Sequence, residues 1–547
     1  LRTAYSPQTY GVTATVTNAY DRLDRLINVC HVQANAASDY VYNNNGKLST
    51  QYWKRSSTVA YRSLIYDAEQ RLASVDVFTN GNKCLDLDYT FNAAQQITQI
   101  VELANLSSVL RFKPATTNRF AYDARDQLVS EHRLSSATNY QPVTTYLYDL
   151  AQNRVTKRAQ GSGGTTDSYS YALANMLTNI AVGSPSANNR YFYDVAGNLA
   201  TSIVKGVTMV FRYNAQNKLV RVEQSGNLIA EFRYDSLNRR LGVKNGATWR
   251  DDIHDGNSCI ASLQNAIMSK FFLRGAGIAE GTADVVAEID YAVGGSMSAM
   301  QGDDAAFADA DAIIQSDATV IEDSGTEEQA DLENGSEMYT VTIGGGGVVP
   351  MALFVTPSAL HFYVPNHRGD TVMTLTKSGA VESYNLYDAY GNQIYKGGSF
   401  SPRYTFSTKE YLSMARIYLY AYRVYDPIAG RWTQRDPIDY QDSVNLYQFC
   451  GNNPVNKSDP DGKWTLQLHI DMTAGLGLAC RAGLGIAFSY SRKEGFKIGG
   501  TAEAGIGAML GAGASLTGNT TGSLNKKIED LSGKSTGLGG SGGEVIV

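Results

Sequence analysis

The chain has 547 residues, long enough for several domains or one extended repeat, and carries 35 Tyr, 17 Phe and 52 Gly against 12 Pro, a balance suited to pleated sheet with tight turns. Five cysteines without a CxxC pair and six dispersed histidines argue against a zinc site, a dense disulfide framework and any bound metal or cofactor. The formal charge of −6 is uneven: residues 301–340 hold twelve Asp or Glu and no Lys or Arg, leaving a diffuse +6 elsewhere, unlike the clustered basic face of a nucleic-acid binder.

The sequence opens on Leu1 and reads as a processed or truncated piece, with no basic–apolar–small leader and no apolar run of about 18 residues that would predict a spanning helix. From residue 20 a short phrase recurs. An aromatic residue, usually Tyr before Asp or Asn, is followed by two variable residues, a Gly or Asn, a polar residue and a Leu, Ile or Val. It reads YDRLDRLI at 20–27, YNNNGKL at 42–48, YDAEQRL from Tyr66, FNAAQQI from Phe91, YDARDQL from Tyr122 and YDLAQNRV from Tyr148. It continues as YDVAGNL from Tyr193, YNAQNKL from Tyr213, YDSLNRRL from Tyr234 and YDAYGNQI from Tyr387.

Each phrase predicts a hairpin. The Asp or Asn caps the turn through backbone amides, the Gly or Asn takes positive φ, and the Leu opens the returning strand. Tyr193, Tyr213 and Tyr234 lie 20 and 21 residues apart, which fits two strands and two turns per unit. Ten such phrases resemble the YD-repeat family: Rhs proteins, the TcC components of insecticidal toxin complexes and the barrel of teneurins. The resemblance implies an all-β fold, a spiralling antiparallel sheet of YD-repeat hairpins forming a partial hollow shell, here over 1–274 and again over 351–403. Some 30–40 strands at roughly 4.8 Å make a ribbon of about 150–190 Å, one circuit of a cylinder of roughly 25 Å radius. An 85-residue cargo has a radius of gyration of about 12 Å, so one circuit would surround it with open ends and a closed shell would need upstream chain or a partner.

Residues 275–350 interrupt the pattern with a Gly-flanked acidic stretch. Its DDAAFADADAII lacks the D-x-D-x-D-G spacing of a calcium loop and is expected to be a solvated excursion. Residues 404–462 follow the last repeats with YAYRVYDPIAGRWTQRDPID and NLYQFCGNNPVNKSDPDG. They closely resemble the Rhs-associated core, the junction between shell and variable C-terminal domain. The Asp-Pro pairs Asp426-Pro427, Asp436-Pro437 and Asp459-Pro460 start turns, Gly430 and Gly462 allow reversals, Arg431 belongs to the same junction motif, and Trp432, Tyr425 and Tyr447 supply aromatic anchors for a plug. The resemblance also implies an intramolecular aspartyl protease cutting just after a P-x4-D-P-x-G motif. Here that motif, preceded by Asn453, runs from Pro454 to Gly462, which places the cut after Lys463. Two carboxylates sharing a proton can activate water and protonate the leaving amide. Asp436 is the first acid by resemblance, with Arg435 beside it to orient it or hold charge; the second is Asp442, Asp459 or Asp426. The family usually carries Leu, Met or Trp after DPxG, where this chain has Lys463 and then Trp464, and an uncut structural plug is the other reading.

The stretch 463–547 turns Gly- and Ala-rich, as in Gly-rich hairpins, and its KSTGLGGSGGEVIV end reads as flexible. It carries no nuclease or deaminase constellation, and Cys480 with His469 reads as a small buried thiol rather than a nucleophile pair. The resemblance implies a secreted or cell-surface bacterial shell whose cargo is its own tail, with an upstream shell segment, a secretion-system component or an immunity protein as partners. The alternative is a surface scaffold without toxicity. No metabolic enzyme is expected.

Overall fold

A computed structural model describes residues 12–105, 115–135, 143–160, 164–183, 188–255, 257–264, 267–276, 285–294, 354–441 and 443–463. It also describes the backbone of short separate stretches at 2–5, 8–9, 339–343, 347–351, 465–467, 474–476, 478–491, 495–507 and 544–546. Among these residues 29 strands form one antiparallel sheet, each strand pairing with the next along the chain from Arg2–Tyr5 to Gln393–Gly398.

The repeat phrase sets both turn and curvature. In the turn after Tyr193, the Asp194 carboxylate accepts the N–H groups of Ala196 (3.0 Å) and Asn198 (2.8 Å). Gly197 takes φ +82°, and at the equivalent position Asp24, Gln70, Gln95, Asp126, Gln152, Asn217 and Asn238 are also held in the left-handed region. Each phrase carries a register shift at its aromatic residue, as between Ile65 and Tyr66 or Phe192 and Tyr193. Such a bulge bends its strand and increases twist, so one bulge per hairpin on the same rim curls the sheet. In six hairpins the Tyr hydroxyl then ties the hairpin to an earlier one. Tyr42 donates to Leu26 O, Tyr66 to Leu48 O, Tyr122 to Ile97 O, Tyr148 to Leu128 O, Tyr171 to Arg154 O and Tyr234 to Leu219 O, all at 2.6–2.8 Å. In every case the acceptor is the sixth residue after the aromatic of its own phrase.

The curl closes on itself as a scroll. Counted from the Arg2–Tyr5 edge, the third strand, Leu26–His31, faces the twenty-fourth, Ile267–Arg274, with His31 and Phe271 rings 4.7 Å apart. The eighth strand faces the twenty-seventh, with Cys84 Sγ 3.9 Å from Met373 Sδ, and the ninth faces the twenty-eighth, where Tyr384 donates to Glu102. Opposite walls of a flattened ring would meet in reverse order. Meeting in the same order, about twenty strands on, is the geometry of an overlapping roll. Twenty strands at roughly 4.8 Å give a circuit of about 95 Å and a radius near 15 Å, tighter than the roughly 25 Å expected from a single circuit of all strands. The overlap is a packed core that includes Trp53, Val75, Leu85, Phe362 and Leu375.

Val285–Gly294, read from sequence as part of the insert, is a strand of the sheet, because VVAEIDY buries its apolar residues against both neighbours. It pairs directly with Phe354–Pro365 from Gly294↔Phe354 onward, so the sheet continues beneath whatever lies between them. The acidic run at 301–338 lies outside the described residues. Beyond the junction the backbone forms a long hairpin, Leu478–Ser491 with Gly495–Gly507, as the Gly-rich alternation suggests. No helix among the described residues is long and apolar enough to cross a membrane.

Candidate functional site

Four short strands, Glu410–Leu412, Ile417–Leu419, Val424–Asp426 and Arg431–Trp432, form a small sheet at the heart of the junction. Leu412, Ile417, Leu419, Val424 and Ala429 pack against the inner face of the wall at Tyr191, Phe211, Val222, Phe232 and Val243. Behind them Phe406, Tyr418, Tyr420, Tyr425, Trp432 and Phe449 form an aromatic cluster with ring centroids 4.0–6.4 Å apart. Tyr447 is fully buried beside Tyr193.

The junction binds the turns of the repeats. A residue at positive φ turns its carbonyl away from the hairpin, and six of those carbonyls accept a junction side chain. Arg431 donates to Asn175 O, Gln434 to Asn217 O (2.6 Å) and Tyr447 to Gly197 O (2.7 Å). Asn452 donates to Gln152 O, Tyr418 to Gly391 O and Thr408 to Gly369 O, each at 2.8 Å. The other motif residues are also structural. Gly430 admits the Arg154 guanidinium where a Cβ would meet it at 2.5 Å. Pro427 O accepts from Asn392, Pro454 O from Arg368, and Asn453 Oδ1 from Asn456. Pro437 is exposed and Pro460 half-buried, each following a turn-starting Asp.

At the end of this segment one guanidinium gathers two carboxylates. Arg423, 2% exposed and stacked over Trp432 at 4.2 Å, reaches Asp436 Oδ2 through Nη1 (2.7 Å) and Asp459 Oδ2 through Nη2 (3.1 Å). Its Nε donates to the Gly462 carbonyl at 2.6 Å. The other Asp459 oxygen, Oδ1, accepts the N–H groups of Gly462 (2.7 Å) and Lys463 (3.0 Å). The chain reverses here through Gly462 at φ +90°, where a Cβ would meet the Arg423 nitrogen at 3.1 Å. Burial pushes the Asp459 carboxyl up to about 7, outweighing the pull of Arg423 in the other direction. The site thus holds two carboxyls on one guanidinium, that of Asp459 pushed up by burial, with the Gly462 and Lys463 N–H groups drawn against Asp459.

The remaining sequence candidates stand elsewhere. Arg435 does not hold Asp436: it is exposed, its guanidinium lies 3.7 Å from Asp439, and Asp436 is paired with Arg423 instead. That charge partner, Arg423, is not among the residues singled out from sequence. Asp426 caps its own turn, accepting the N–H groups of Ile428 (2.8 Å) and Ala429 (3.1 Å), and burial pushes its carboxyl up to about 6. Asp442, Trp464, His469 and the side chain of Cys480 lie outside the described residues.

The family model for the teneurin YD-shell matches residues 49–249. The fold overlays the Tc holotoxin pore of Photorhabdus luminescens with the TccC3-D651A mutation at a TM-score of 0.53 and 16% identity, covering 82% of this chain and 21% of that one. The fold is that of a YD-repeat shell. A TcdB2-TccC3 structure overlays this YD-repeat chain at a TM-score of 0.50 and 17% identity, covering 82% and 22%. Toxin subunit YenC2 of Yersinia entomophaga is 35% identical over 100 residues, 17% of this chain and 10% of that subunit. The tRNA nuclease WapA of Bacillus subtilis (strain 168) is 31% identical over 111 residues, 19% and 5% respectively. The matched stretches span only 4–12% of the first curated relatives of the YD-repeat chain, and the overlays about a fifth of the solved ones.

Proposed function

We propose that this chain is part of a toxin-associated shell that holds its own C-terminal segment as cargo, and that the junction cuts itself after Lys463. The observation that carries the cleavage reading is the Arg423 guanidinium, which brings Asp436 and Asp459 together beside the Lys463 amide. In this reaction Asp436 takes a proton from water as the hydroxyl adds to the Lys463 carbonyl carbon. Asp459, protonated near neutrality, supplies the proton that the departing amine of residue 464 needs when the C–N bond breaks. Arg423 pairs with Asp436 and, through the Gly462 carbonyl, holds the chain at the bend.

Among the described residues the overlapping layer and the junction both pack against the wall, and the cargo space in this proposal is completed by further wall, from an upstream segment or a partner chain. The setting that fits is the outside or surface of a bacterial cell, with a secretion component or an immunity protein as further partners. Substituting D436N and D459N separately and weighing the purified chains tests the chemistry. Each should remain uncut while the parent separates at residue 463. Cleavage that persists in both leaves the junction as a plain plug and favours the scaffold reading.

A further inference from the structure

The residue before the proposed cut is basic, and the structure gives that base its own seat. Lys463 Nζ lies 3.4 Å from the centroid of the Tyr422 ring. The ring belongs to the residue directly before Arg423, so the seat and the carboxylate-gathering guanidinium are neighbours in the chain. The backbone fixes the same approach from both ends: the Tyr422 N–H donates to Asp461 O (3.0 Å), and the Lys463 N–H reaches Asp461 Oδ1 (3.1 Å) as well as Asp459. The wall holds the platform from behind. Lys218, in the turn YNAQNKL, donates from Nζ to Tyr422 O (3.3 Å) and stands 4.6 Å from the same ring.

We propose that Tyr422 is the subsite for the residue at the cut, recognising the lysine side chain by a cation–π contact and so fixing the Lys463 carbonyl before the paired carboxyls. Lys218 is a positioning residue that ties this subsite to the shell wall. The inference rests on the self-cleavage reading. A half-buried ammonium over a tyrosine face stabilises enough to change a rate by roughly three- to tenfold.

The test is a pulse–chase of the full chain, following its cleavage into residues 1–463 and the remainder in five variants. Y422L and K463M should each slow cutting by roughly three- to tenfold, and the Y422L/K463M double variant should be no slower than either, because ring and charge act as one contact. Y422F and K463R, which keep the ring face and the charge, should restore most of the lost rate. K463M changes a half-buried side chain at a chain bend and keeps the fold testable if Y422L does not assemble. Additive losses in the double variant, or a K463M chain cut as fast as the parent, would overturn the subsite while leaving the carboxyl pair standing. A parent that never cuts removes both proposals.

Discussion

Asp459 and Glu410 are both buried acids beside arginine, and they are driven in opposite directions. Asp459 shares a single guanidinium with Asp436, so burial wins and its carboxyl sits at about 7. Glu410 also lies buried, but Arg240, Arg250 and Arg403 surround it and hold it down at about 2. The consequences have opposite sign. A raised acid contributes stability in its protonated form, which fades as pH rises from the ordinary carboxyl range through about 7. Cleavage should therefore fall as pH rises through about 7, and a rate profile flat from pH 5 to 9 would remove Asp459 as the proton donor. The depressed Glu410 contributes stability above its ordinary value, and that contribution is lost as pH falls from about 4.5 to about 2. E410Q breaks a buried charge network and should cost about 3–5 kcal/mol in denaturant melts near neutrality. The gap to the parent should shrink as the medium is acidified, and a constant gap down to pH 2 would contradict the assignment.

At the level of the hairpin, one phrase does three things. Its Asp or Asn closes the turn, its aromatic residue carries the bulge that bends the sheet, and its fifth residue turns a carbonyl toward the junction. The capped turn was legible in the sequence, because its Asp or Asn leaves a residue signature, whereas the positive-φ position is held without the expected Gly or Asn at Asp24, Gln70, Gln95, Asp126 and Gln152. The bulge and the carbonyl direction were not legible, since they depend on what packs behind the strand. Arg423 was hidden for a similar reason: Asp436 and Asp459 lie 13 and 36 residues further on, and only the folded bend brings them to it. Two substitutions test the hairpin account. Y66F removes the hydroxyl bonded to Leu48 O and should cost about 0.5–1.5 kcal/mol in a denaturant melt. Y447F strands the buried Gly197 carbonyl and should cost about 1–3 kcal/mol, with the loss falling on the junction. Equal stability of both variants and the parent would mean that these hydroxyls do not hold the repeats together.

For the whole molecule, the single continuous sheet was readable from ten repeated phrases, but its radius was not, because curvature per hairpin has no composition. The scroll makes residues nearly three hundred positions apart into neighbours, and the Glu102–Tyr384 hydrogen bond spans that overlap. A double-mutant cycle on E102Q and Y384F should show a coupling of about 0.5–3 kcal/mol, whereas additive effects would mean that the two layers do not touch. Everything in the functional reading depends on the rolled wall presenting its junction as a reacting bond. The most direct measurement is the intact mass of the purified parent chain. The account predicts two species, residues 1–463 and a segment beginning at Trp464. A single species at the full 59.3 kDa, or a cut at any other position, would contradict it.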